Sequence, residues 1–186
     1  CVNKVAETLV SWANQTFPVS ERYDGIHVWN HPYGCSQLGD DHEATRTILA
    51  DLVHHPNAGG VLVLALGCEN NTPESFKELV GDVDPNRVKF LTSQEVDDEI
   101  EESKKLISAI HEAMQHDRRE PVGMDNLIVG FKCGGSDGLS GITANPLVGR
   151  FCNALTAMGG TGILTEVPEM FGAEQLLMNR SQDEDV

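Results

Sequence analysis

Three thiols carry the first chemical signal in this chain. Cys35, Cys68 and Cys133 each follow a run of strand character, each adjoins a glycine, and each precedes a helix-like pattern. In a parallel sheet the strand-to-helix turns lie together at the carboxyl edge, so thiols remote in sequence can meet in one crevice. Cys1 would join them if a strand preceded it. Converging thiolates with help from histidine or carboxylate suit a soft or borderline divalent metal such as iron. The chain has no Cys-x-x-Cys pair, so a zinc ribbon is not expected. Cys152, inside a helix pattern, reads as a small buried hydrophobe, which is also the plain alternative for the other three.

The stretch 131–145 is the densest in chemistry. It places a cation (Lys132), a thiol (Cys133), a carboxylate (Asp137) and the hydroxyls of Ser136, Ser140 and Thr143 among four glycines, Gly134, Gly135, Gly138 and Gly141. Glycines let backbone N–H groups approach a ligand closely. A helix beginning just beyond the loop would favour an anion at its N-terminus. Lys132 and the loop N–H groups therefore suit an anionic substrate, with Asp137 as the carboxylate among them. Gly134, Gly135, Ser136, Ser140, Thr143 and Asn145 are candidate substrate contacts, with Asn70 from an earlier loop. The plain alternative is a solvent-exposed turn. His42, close behind Cys35, is a ligand, a base or a surface residue of a first helical turn; His31 is the second choice. Glu69 and Asn71 bind hydroxyls or make turns. Glu166 and Glu169 read as base, ligand or helix-start acids.

The elements that must position these groups follow from periodicity. Val2, Val5, Leu9, Val10 and Trp12 share one face of a helix over 2–16. A strand is expected at 25–29, then a helix over 44–53 with Asp40 as cap and Glu43 three residues on. The continuous apolar run 61–66 predicts a strand buried on both faces, as in a parallel sheet. Thr72 and Pro73 predict the start of a helix. A strand at 88–91, a helix from 96 to about 116 capped by Ser93, and a strand at 127–131 come next. A helix over 146–158, a strand at 162–164 and a helix over 168–178 complete the pattern. This alternation predicts an α/β fold: one three-layer, Rossmann-like domain over 1–186 with a mostly parallel sheet.

Composition narrows the class of function. The 186 residues carry a formal charge of −16, and 40% are apolar. So acidic a chain is a poor nucleic-acid binder, because phosphates require Lys and Arg. No apolar run reaches membrane-spanning length. Five cysteines, an odd number, fit a reducing cytoplasm better than a disulfide scaffold. The start at Cys1 and the polar end at 182–186 read as a piece of a longer protein. A homodimer is the default assembly.

The segments 34–42, 66–71, 133–146 and 165–174 (GCSQLGDDH, LGCENN, CGGSDGLSGITANP and TEVPEMFGAE) carry a family resemblance. Together they resemble the altronate and galactarate dehydratases, a family of sugar-acid dehydratases, and the likeness runs over nearly the whole chain. Sulfolactate sulfo-lyase is similar too. The resemblance implies a cytoplasmic hydro-lyase of hexuronate breakdown. The implied reaction takes D-altronate to 2-dehydro-3-deoxy-D-gluconate plus water, with Fe(II) or another divalent metal. It also implies that this is the central part of a longer dehydratase, without its N- and C-terminal domains. Cys35, Cys68 and Cys133 would then surround the metal, with His42, Asp137 and Lys132 in catalysis. Two rivals stay open: a Cys133 nucleophile with His31 or His42 as base, and a non-catalytic module that binds sugar acids or serves assembly.

Overall fold

The computed structural model describes residues 2–132, 134, 135 and 137–182. Among the described residues ten regular elements follow in order, with helix and strand alternating after α2: α1 (Val2–Thr16), α2 (Gly39–Val53), β1 (Val61–Ala65), α3 (Pro73–Val80), β2 (Val88–Thr92), α4 (Glu99–Ala113), β3 (Ile128–Phe131), α5 (Ala144–Ala157), β4 (Thr161–Leu164) and α6 (Glu174–Met178). The α/β character is as expected. Packing divides the chain into two compact units, Cys1–Arg119 and Glu120–Val186. The described strands form two two-stranded sheets. β1 pairs with β2 and β3 with β4, both parallel, because each strand pairs with the partner at the far end of its own crossover. Among the described residues no helix is long and apolar enough to cross a membrane.

In the first unit, alternate residues of β1 serve two different cores. Val61 and Val63 pack with Val88 and Phe90 of β2 against Ala50, Val53, Phe76 and Val80 of α2 and α3. Leu62 and Leu64 pack against Leu9, Ala13 and Ile107 of α1 and α4. Burial on both faces explains why the strand sequence is apolar throughout rather than alternating. Arg87 closes the amino end of this sheet. Its Nη1 donates to the Gly59 carbonyl at 2.7 Å, and its two terminal nitrogens grip Asp117 at 2.7 and 2.8 Å. Gly60 beside it leaves no room for a side chain, since a Cβ would lie 2.7 Å from the Arg87 carbonyl oxygen.

The second unit has a barer sheet. The face carrying Phe131 and Gly162 packs on α5, with the Phe131 and Phe151 rings 5.9 Å apart and Leu155 buried. On the opposite face Ile128 and Ile163 are 63% and 50% exposed, and a side chain at Gly130 would meet open space.

Several local expectations are corrected. Residues 25–29 form no strand. The Ile26 N–H donates to Asn14 Oδ1 at 2.8 Å and its carbonyl accepts from Asn14 Nδ2 at 2.9 Å, so its backbone groups are satisfied by a side chain of α1. Asp40 lies inside the first turn of α2, after Leu38, and is not its cap. Ser93 opens a short 3-10 turn, Ser93–Glu95. The cap of α4 is Asp98, which accepts from the Ile100 and Glu101 N–H groups at 3.0 and 2.9 Å. The final helix is interrupted: a 3-10 turn, Val167–Met170, precedes Gly172 at φ 89°, and α6 begins only at Glu174. The Thr72 cap and Pro73 start of α3 are as expected.

Two predictions follow from this packing. Asp98→Ala removes the cap of α4 and should destabilise the protein by about 1 kcal/mol in urea unfolding. His111 of α4 stacks on Phe17 at 4.1 Å and meets the edge of Tyr23 at 5.3 Å. Burial pushes its pKa below the ordinary histidine value. The unfolded chain therefore binds this proton more readily, and stability falls as pH drops from the ordinary value towards the lowered one. The urea midpoint should fall between pH about 7.5 and about 5.5, and His111→Phe should flatten that slope.

Candidate active site

At the carboxyl end of β1 the chain turns through Gly67, whose φ of 114° suits glycine. Glu69 closes the turn. Its carboxylate accepts from the Leu66 N–H at 2.9 Å and the Gly67 N–H at 2.5 Å. Burial raises the pKa of Glu69, but the N–H groups of Glu69, Gly67, Leu66 and Cys68 together outweigh it and hold the carboxyl below its usual range. Cys68 lies within this turn as an exposed free thiol.

The loop bearing Cys35 is laid directly upon that turn. The Asn70 N–H donates to the Cys35 carbonyl at 2.9 Å, and Asn70 Nδ2 donates to the Gln37 carbonyl at 3.0 Å. Cys35 is likewise exposed and free. Two of the three thiol-bearing loops are thus joined, and Asn70 is the tie between them. His42 projects from the start of α2 with a side chain 18% exposed. Its Nδ1 stands 3.8 Å from the Glu43 carboxylate, and its buried Nε2 has no hydrogen-bond partner among the described residues. Arg46, one turn on, donates to the Ser75 carbonyl at 2.8 Å and ties α2 to α3. His31 stacks on Tyr33, with ring centroids 5.9 Å apart.

In the second unit the glycine-rich loop runs from the end of β3 to α5. Cys133 and Ser136 lie outside the described residues. Asp137 organises the rest: Oδ1 accepts from the Leu139 and Ser140 N–H groups at 2.8 and 3.1 Å, and Oδ2 from Ser140 Oγ at 3.1 Å. The Leu139 N–H and the Ser140 hydroxyl hold its pKa below the ordinary aspartate value. An aspartate so held is ionised at neutral pH. Thr143 Oγ1 donates to the Leu139 carbonyl at 2.9 Å. The Ser140 and Thr143 hydroxyls are thereby engaged inside the loop. Asn145 sits in the first turn of α5. A Cβ at Gly134 would meet nothing within 4 Å, so that backbone is open to a ligand.

The ends of β3 and β4 meet beside this loop. Thr165 Oγ1 donates to the Phe131 carbonyl at 2.7 Å, and Lys132 Nζ lies 3.5 Å from Glu166 Oε1. The sequence marks Glu166 only as one of two acids around a proline. Its pairing with Lys132 depends on the strand register, which the sequence does not display. Among the described residues no three His, Cys, Asp or Glu side chains are grouped to hold a metal ion. Cys35, Cys68 and His42 supply suitable donor chemistry without completing a cage.

The turn at Glu69 yields a prediction. Its lowered pKa means that its contribution is present above the ordinary glutamate value and is lost as pH falls through the lowered one. Glu69→Gln should weaken the protein at neutral pH and flatten the acid limb of a stability-versus-pH curve measured by thermal unfolding.

Comparison with known proteins adds to this geometry. Residues 1–115 match the family model for D-galactarate dehydratase/altronate hydrolase, second domain, and residues 124–186 match the model for D-galactarate/altronate dehydratase, C-terminal. The chain is 53% identical over 184 residues to altronate dehydratase of Escherichia coli (strain K12), covering 99% of this chain and 37% of that protein. It is 54% identical over 187 residues to altronate dehydratase of Bacillus subtilis (strain 168), covering 100% and 37%. To galactarate dehydratase (L-threo-forming) of E. coli it is 34% identical over 141 residues, covering 71% and 27%. The chain therefore spans about 37% of the length of the two altronate dehydratases it matches. No solved structure matches it. The chain belongs to the D-galactarate dehydratase/altronate hydrolase family.

Proposed function

We propose that this chain is the substrate-handling portion of a longer sugar-acid dehydratase, with D-altronate as substrate and 2-dehydro-3-deoxy-D-gluconate and water as products. One observation carries the choice of substrate. Identity to two altronate dehydratases from different bacteria is 53% and 54% over essentially the whole chain, against 34% over a shorter span to galactarate dehydratase.

The elimination breaks the C2–H and C3–O bonds of the aldonate. Lys132 and the N–H groups around Gly134 and Gly135 bind the substrate carboxylate and make the C2 proton more acidic. Asp137, held ionised by Leu139 and Ser140, accepts that proton. The same proton is then available to the departing C3 hydroxyl, which leaves as water. The resulting enol tautomerises to the 2-keto acid. Ser136, Ser140, Thr143 and Asn145 shape the loop or meet substrate hydroxyls. Cys35, Cys68, Cys133 and His42 are each candidate ligands for Fe(II) or another divalent metal. Such an ion would supply Lewis-acid stabilisation of developing negative charge.

A three-layer, Rossmann-like arrangement belongs to this reading, supported by the helices on both faces of the β1–β2 pair. So do the cytoplasmic location and the homodimer implied by the family resemblance and by common symmetry.

The test is anaerobic turnover by the full-length protein with D-altronate, galactarate and sulfolactate, with and without added Fe(II). Preferred turnover of altronate is expected. Asp137→Asn should lower kcat by about 100-fold or more. Cys35→Ser, Cys68→Ser and Cys133→Ser should each reduce bound iron by elemental analysis. Absence of altronate turnover under every metal condition overturns the proposal.

A further inference from the structure

The strand ends of the second unit carry an ion pair, Lys132 with Glu166, of which the reaction scheme above uses only the lysine. Among the described residues Glu166 is the one non-glycine residue at positive φ, with φ 63° and ψ 50°. A side chain with a Cβ is strained in this left-handed region, where glycine is not. Such strain persists only where the surroundings hold it, and it concentrates at functional positions.

Here the surroundings are identifiable. The preceding residue, Thr165, clamps the chain to the end of β3 through its N–H at 3.3 Å and its Oγ1 at 2.7 Å, both donating to the Phe131 carbonyl. The Glu166 carbonyl accepts from the Glu169 N–H at 2.8 Å and starts the 3-10 turn Val167–Met170. Between these anchors the backbone must turn in one residue, and the left-handed conformation aims the Glu166 carboxylate back across β3. It comes within 3.5 Å of Lys132 Nζ. The two side chains differ in exposure: Glu166 is 29% exposed and Lys132 is 75% exposed. An ion pair this open adds little to stability, so it is a poor reason to keep a strained residue.

We propose that Glu166 is a positioning residue for Lys132: its carboxylate, fixed by the strained turn at the end of β4, holds the Lys132 ammonium beside the glycine-rich loop for the substrate carboxylate. The role rests on Lys132 as the group that meets that carboxylate. An untethered lysine would spread its charge over many rotamers, and ordering it would oppose binding. A pre-set ammonium meets the anion with less loss of freedom.

The full-length enzyme allows the test. Glu166→Gln should lower kcat/KM for D-altronate by about 10- to 100-fold, mostly through KM, with an unchanged melting temperature. Glu166→Gly relieves the backbone strain, so its melting temperature should hold or rise while kcat/KM falls as in Glu166→Gln. The K132M/E166Q double variant should be no worse than K132M, because the carboxylate acts only through the amine. Wild-type kcat/KM in E166Q, or losses that simply add in the double variant, would overturn the proposal. Acetylation of Lys132 by acetic anhydride, followed by peptide mass spectrometry, reads the tether without turnover. E166Q should speed it several-fold, and an unchanged rate overturns the tether. A wild-type enzyme inactive on altronate would count against the dehydratase reading, while the labelling result would still decide the role of Glu166.

Discussion

Parallel strand pairing is the constraint on which the rest of this structure depends. Two parallel neighbours need a crossover long enough to bring the chain back to its starting end, and the crossover covers one face of the sheet. The other face then needs a second cover. In the first unit both are present, so the side chains of β1 divide between two cores, valines towards α2 and α3 and leucines towards α1 and α4. In the second unit α5 covers one face, while Ile128 and Ile163 stand exposed on the other. That unit has a complete crossover and half of its layers.

The same pairing places the chemistry. Each strand delivers its following loop to the carboxyl edge of its own sheet. Cys68 and Glu69 follow β1, Lys132 and Asp137 follow β3, and Glu166 follows β4. Once there, several of these groups first stabilise the loops that present them. Glu69 binds the N–H groups of its own turn, and Asp137 binds those of Leu139 and Ser140. Such bonds keep both carboxylates ionised. A loop held by its own carboxylate has little freedom left to lose when a ligand arrives, and its charge is already in place.

The legible part of the fold was the part governed by repeated, local signals. The face shared by Val5, Leu9 and Trp12 marks α1, the Thr72–Pro73 pair marks α3, and the unbroken apolar run marks β1. Residues 25–29 have the composition of a strand, because Ile26 and Val28 alternate in the same way whatever the backbone binds. Here Ile26 binds the side chain of Asn14. Ser93 and Asp98 are both able to cap a helix, and the choice between them depends on where the chain leaves β2. The Gln94 N–H donates to the Leu66 carbonyl at 3.1 Å, which keeps the chain in the sheet past Ser93 and moves the cap to Asp98.

Sequence by itself determined the α/β class, most helices and strands, the family and the residues able to do chemistry, because all of these rest on residue type and short-range spacing. Tertiary structure decided which groups are neighbours. It joined the Cys35 loop to the Cys68 turn through Asn70, turned Asp137 into the organiser of its loop, and brought Glu166 across to Lys132. The physical reason is that the Lys132–Glu166 pairing, 34 positions apart, is set by strand register and a single left-handed turn, and the Asn70–Gln37 pairing, 33 apart, by how one loop lies on another. Neither leaves a periodic mark in the order of the amino acids.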